Sequence, residues 1–159
     1  MKPYLPLFVL LLACACSKKQ VATHAAIDHS ETAKMIMNQQ WLESDVSVIH
    51  NPDTVLHDIT LQFPAPERDD VLIFSGDGTY QYDEGATKSN SILKQTFVEG
   101  QWKLDEAKRE LQLMANGSTD TYEIVSVTDT SLVLKLTIVR PSKSYAYHLS
   151  FKRAKKSLD

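Results

Sequence analysis

A chain of 159 residues, 43% hydrophobic and 23% charged, is long enough for one domain with its own core and too apolar for a disordered one. Its formal net charge of −3 excludes the basic footprint of a nucleic-acid-binding protein. Both of its cysteines lie at the N-terminus, at Cys14 and Cys16, so no disulfide is expected within the folded part.

In chain order, residues 1–15 read as a leader. Met1-Lys2 supplies a positive start, and Pro3 to Ala13 an apolar core shorter than the ~20 residues a membrane-spanning helix needs. Leu11-Leu12-Ala13-Cys14-Ala15-Cys16 resembles a bacterial lipobox. That resemblance implies cleavage before Cys14 or Cys16 and acylation of the exposed cysteine. Cys14 has leucine three residues before it, and Cys16 is followed by polar Ser17-Lys18-Lys19. Several acyl chains on one cysteine anchor stably, at ~0.8 kcal/mol per buried methylene. The expectation is a lipid-anchored protein of the bacterial cell envelope, facing the periplasm because Lys18-Lys19 rather than acidic residues follow the cysteine.

Residues 16–26 are small and polar and read as a flexible tether. Residues 27–38 read as a short helix, with Ser30 or Asp28 as its cap and Ala33, Ile36 and Met37 on one apolar face. Such a helix can plug the end of a β-domain or lie on a membrane surface.

From Gln40 the period changes to two. Leu42, Val46 and Val48 fall on one face of the first strand, Glu43, Asp45 and Ser47 on the other. Asn51-Pro52-Asp53 is a turn, Thr54 to Phe63 is either strand or irregular helical turn, and Pro64-Ala65-Pro66 breaks any regular element. Val71-Leu72-Ile73-Phe74 and Thr79 to Tyr82 then form a hairpin around Gly76-Asp77-Gly78, where both glycines are expected at positive φ. Four more hairpin turns follow. Phe97–Leu104 turns at Asp105–Arg109 into Glu110–Ala115. Asn116-Gly117-Ser118 turns into Thr119–Thr128, and Asp129-Thr130 into Ser131–Arg140. Pro141-Ser142-Lys143 turns into Tyr145–Arg153, before a charged tail at residues 154–159.

About eight or nine short strands joined by tight turns define an all-β, up-and-down antiparallel barrel over residues 39–153, with closure removing exposed edges. Pieces of this order resemble the lipocalin-like domain of small bacterial envelope lipoproteins. They are Gln40-Trp41-Leu42, Asp69 through Tyr80, Asp83 through Lys88, Gly100-Gln101-Trp102, Thr121 through Ile124, Asp129 through Leu132, and Leu149 through Arg153. The resemblance covers residues 40–153. It implies a calycin-type barrel of about eight strands and an envelope address, and it implies no reaction. Many members carry cysteines near Ala65 and Ser89 that can bridge two loops, and this chain has neither.

The candidate cavity-lining residues are Trp41, Phe74, Tyr80, Tyr82, Trp102, Tyr145 and Tyr147, which either line a cavity or, with Phe151, fill a core. The five histidines, His24, His29, His50, His57 and His148, lack metal-ligand spacing and read as surface residues. Asp69, Asp70, Asp77, Asp83 and Glu84 are expected at one end of the central hairpin as solvated turn charge, without the ligand pattern of a calcium loop. No catalytic constellation and no cofactor motif is present, so a non-enzymatic monomer is expected. It is held to a membrane by its lipid and binds a small apolar or amphipathic ligand. The alternative is a scaffold that binds protein through a filled barrel.

Overall fold

The computed structural model describes residues 30–50, 55–88, 90–92 and 94–154. The leader, the tether, both cysteines, His24, His29 and the tail beyond residue 154 lie outside the described residues, as do Asn51 to Thr54. A helix α1 (Glu31–Ile36) leads into strands β1 (Gln40–His50), β2 (His57–Asp58), β3 (Val71–Phe74), β4 (Thr79–Asp83) and β5 (Thr96–Asp105). Then come β6 (Glu110–Ala115), β7 (Ser118–Val127), β8 (Ser131–Arg140) and β9 (Lys143–Arg153).

Every pairing is antiparallel. The order β1-β3-β4-β5-β6-β7-β8-β9 closes on itself because β1 also pairs with β9, from Trp41 opposite Arg153 to His50 opposite Tyr145. The result is a closed eight-stranded barrel, with β2 added along the far half of β1. The ambiguous Thr54–Phe63 stretch resolves into β2 and a 3₁₀ turn, Thr60–Gln62, seated by Thr60, whose hydroxyl accepts from the Val46 amide at 2.8 Å.

Local chemistry sets the turns. Asn116 and Gly117 both have positive φ (51° and 77°), the geometry whose twist matches a two-residue hairpin. In the β3–β4 turn only Gly78 is left-handed, at φ 84°, so the expectation for Gly76 is corrected. The reversal is carried instead by Asp77, whose Oδ1 accepts from the Thr79 amide and hydroxyl at 3.0 and 2.6 Å.

The two barrel ends differ. At the first, the Ser30 hydroxyl caps α1 by accepting from the Ala33 amide at 3.1 Å, as expected of an N-cap. The helix spans Glu31–Ile36 and buries Ala33 and Ile36 completely. The Trp41 indole N–H donates to the Ile36 carbonyl at 3.0 Å and ties the plug to β1. Trp41, Phe74, Trp102, Leu104, Leu111 and Leu132 are buried at this end. Phe74 and Trp102 meet edge to face at 5.6 Å, and the Trp102 indole donates to the Ser75 carbonyl at 3.0 Å.

Candidate functional site

The other end of the barrel is hollow. The reason is side-chain size. On β5, β6 and β7 the inward positions toward this end are Gly100, Ala115 and Ser118, in register with Tyr80 and with each other. A Cβ at Gly100 would stand 2.6 Å from the Tyr80 ring and 2.2 Å from the Met114 carbonyl oxygen, so the ring lies directly over this glycine. Gly100 makes room for that ring, while the small side chains of Ala115 and Ser118 on the next two strands line space that larger ones would fill.

The space is a cavity of about 400 Å³. Its apolar walls come from Leu72 on β3, Val98 on β5, Leu113 on β6, Leu134 on β8, and Leu149 and Phe151 on β9. Tyr80, Tyr82, Phe97 and Tyr122 add aromatic rings, and Asn116, Ser118 and Asp120 form a polar rim at the β6–β7 turn. Tyr82 and Phe97 meet edge to face at 5.1 Å. An apolar chamber with a few polar groups at one side is how small-molecule sites are built.

Of the aromatic residues singled out from sequence, Tyr80, Tyr82 and Phe151 line this cavity. Trp41, Phe74 and Trp102 are buried at the plugged end. Tyr145 and Tyr147 sit on a lip where β1, β8 and β9 run past the mouth, lining a separate depression with Ile138 and Arg140. There Tyr145 stacks on Tyr147 at 6.3 Å and meets His50 at 5.2 Å, and His50 meets His57 at 6.1 Å. Among the described residues no three His, Cys, Asp or Glu side chains converge on a metal position.

Two inward groups were misplaced or missed by the sequence reading. Strict alternation along β1 puts Glu43 on the outer face. A β-bulge between Glu43 and Asp45 changes the phase of β1, so Glu43 lies opposite buried Phe151 and turns inward with Trp41, while Val46 and Val48 also face in. Its Oε2 accepts the Tyr82 hydroxyl proton at 2.6 Å. Asp120 was not singled out, although the alternation Asp120, Tyr122, Ile124 marks it as inward in β7. The acidic group also divides. Asp77 occupies the β3–β4 turn at the plugged end, whereas Asp69, Asp70, Asp83 and Glu84 lie at the opposite end of the hairpin, because a strand length separates a turn from its open side.

Burial shapes the electrostatics. It pushes the Glu43 carboxyl up, against the Tyr82 hydrogen bond, which pulls it down, with Glu67 adding repulsion. Asp70, buried and in phase with Leu72, is raised from 3.8 to about 7 by burial first, then by Glu43, Asp69, Glu84 and Glu67. Tyr82 is raised strongly by burial and then by Glu43. Tyr122 is raised to about 12 by burial and then Asp120.

The Asp70 shift predicts a pH dependence. The folded state holds this proton between about 4 and about 7 while the unfolded chain releases it, so the stability it contributes is fully present below about 4 and is lost as pH rises to about 7. Asp70→Asn is expected to gain about 2 kcal/mol at pH 8, after a discount for solvent screening at the open end, and nearly nothing at pH 4. Urea unfolding at the two pH values checks it. Equal gains at both would show that the carboxyl titrates normally in the folded protein.

These features define a small closed β-barrel protein with an interior chamber open at one end. No family model matches the chain, and no curated protein matches it. Among solved structures, a DUF4847 family protein from Bacteroides vulgatus ATCC 8482 is similar at a TM-score of 0.44 and 14% identity, over 74% of this chain and 96% of that one.

Proposed function

We propose that this chain is a lipid-anchored, non-enzymatic protein of the bacterial cell envelope whose barrel takes up one small amphipathic ligand. The single observation that carries the binding reading is the cavity of about 400 Å³, apolar within and polar at its rim, inside the barrel at the end opposite the helix α1. The ligand's apolar body lies against Leu113, Leu134 and Phe151, and its polar end meets the rim or the Tyr82 hydroxyl. An NMR titration of the full-length chain with decanol tests this. Saturable shifts at one equivalent support it, and no shifts at any concentration would sink it.

The anchoring reading rests on the leader and on Cys14 and Cys16. In a bacterial host, the chain with both cysteines changed to serine is expected to move from the membrane to the soluble fraction. Unchanged fractionation of that double variant would contradict acylation as the anchor.

A second reading, a scaffold that binds protein, is favoured by apolar side chains on the connection from β1 to β3. Val55, Leu56 and Leu61 are 60%, 50% and 80% exposed. Loss of pull-down partners on changing all three to serine, with decanol binding retained, would favour it.

A further inference from the structure

The ligand-binding reading leaves the head group open, and the cavity walls narrow it. They are charged in one sense only. Asp120 lines the mouth, and among the described residues no lysine, arginine or histidine lines the chamber. On another wall the Tyr82 hydroxyl has its proton committed to Glu43. A hydroxyl so engaged offers an incoming group its lone pairs alone, so it accepts and does not donate. The carboxylate behind it strengthens that acceptor in a low-dielectric interior.

Asp70 adds a second buried carboxyl beside this pair. It is only 9% exposed, its backbone carbonyl accepts from the Glu43 amide at 3.0 Å, and among the described residues no hydrogen bond or ion pair engages its side chain. Glu43 and Asp70 each raise Tyr82, which places all three groups in one electrostatic neighbourhood. Aromatic rings complete the wall, and ring faces attract cations.

Such a wall suits a donor-rich cation and repels an anion. A fatty carboxylate could take hydrogen bonds from Asn116, Ser118 or Tyr122, but it would meet the like charge of Asp120 and no countercharge. An ammonium meets a polarised acceptor, a carboxylate behind it and π-faces around it. We propose that the cavity selects cationic amphiphiles, a protonated amine on an apolar body, with Asp120 drawing the cation in and the Tyr82 oxygen, backed by Glu43, receiving it.

This rests on the ligand-binding reading, and one calorimetric series separates the two. The full-length chain is titrated with decylamine, decanol and decanoate at submicellar concentrations and neutral pH. Decylamine is expected to bind at least about tenfold tighter than decanoate, with decanol between them. Tyr82→Phe and Asp120→Asn are each expected to bring the amine-to-alcohol affinity ratio toward one. Asp120 is on the exposed rim, so its variant tests the idea even if Tyr82→Phe disturbs folding. Decanoate binding as tightly as decylamine, or an amine-to-alcohol ratio unmoved in Asp120→Asn, overturns the cation reading. Decanol binding without amine preference removes the head-group inference alone. Failure of all three to bind removes the ligand-binding reading and this inference with it.

Discussion

Replacing Trp41 by alanine is expected to cost about 4 kcal/mol of folding stability, the largest single loss in this barrel. Large aromatic-to-alanine changes in a packed core cost about 3–5 kcal/mol, because the transfer term is joined by the cavity left behind. Trp41 is fully buried, and it does two jobs at once. Its ring packs against the helix that seals the barrel, and its indole N–H satisfies the Ile36 carbonyl at the helix end, one of the groups a helix C-terminus leaves without an internal partner. Trp41→Phe separates the two. It keeps most of the apolar contact, loses the hydrogen bond, and is expected to cost about 1–2 kcal/mol. Urea midpoints for both variants measure the difference. A Trp41→Ala loss below about 1 kcal/mol would mean that α1 does not seal the barrel, because such a value is out of reach for a fully packed indole.

The second large effect concerns the hollow half. Ala115→Trp is expected to abolish decanol binding while leaving the fold intact. Ala115 points into the cavity at the last residue of β6, beside the mouth, and its side chain is among the small ones that leave the space open. An indole there occupies volume the ligand needs. It lies at a partly exposed position, so the overpacking penalty of about 1–3 kcal/mol for a closed core is an upper bound. Val139→Trp is the control. Val139 is 78% exposed and adjoins the inward Ile138, so its side chain lies on the outer face and binding is expected to be unchanged.

Much of this fold was legible in the sequence because the information was local. Asn116-Gly117 fixes its turn by the φ angles it tolerates, and Leu132 through Ile138 alternate without interruption along β8. Ser30 signals the helix start because a short oxygen-bearing side chain satisfies an orphan amide. What escaped was either non-local or a break in phase. Closure itself is expected from the number of strands and the cost of open edges, but the β1–β9 register that makes it joins the two ends of the domain, and alternation within each strand does not give that register.

The bulge at Glu43/Asp45 adds one residue to β1. Strict period-two reading across it therefore sends Glu43 to the wrong face and hides the carboxyl that engages Tyr82. A second bulge, between Ile124 and Ser126, breaks β7 in the same way. The seven aromatic residues divided three ways for a related reason. Ring size marks them as inward, but the position along the barrel decides the rest. Trp41, Phe74 and Trp102 are near the plug, Tyr80 and Tyr82 are at the chamber, and Tyr145 and Tyr147 are on the lip beyond it. The better signal for the hollow lay in the small residues Ala115 and Ser118, at paired inward positions of β6 and β7.

The central claim is that the chamber behind Ala115 is a ligand site. The most direct test is the NMR titration with decanol, run side by side on the wild-type chain and on Ala115→Trp. Saturable shifts are expected in the wild type at one equivalent, concentrated at Tyr82, Leu113, Tyr122 and Leu134 and absent from Trp41 at the plugged end. No saturable shifts are expected in Ala115→Trp. Shifts spread over the outer face, or equal in the two proteins, would contradict that claim.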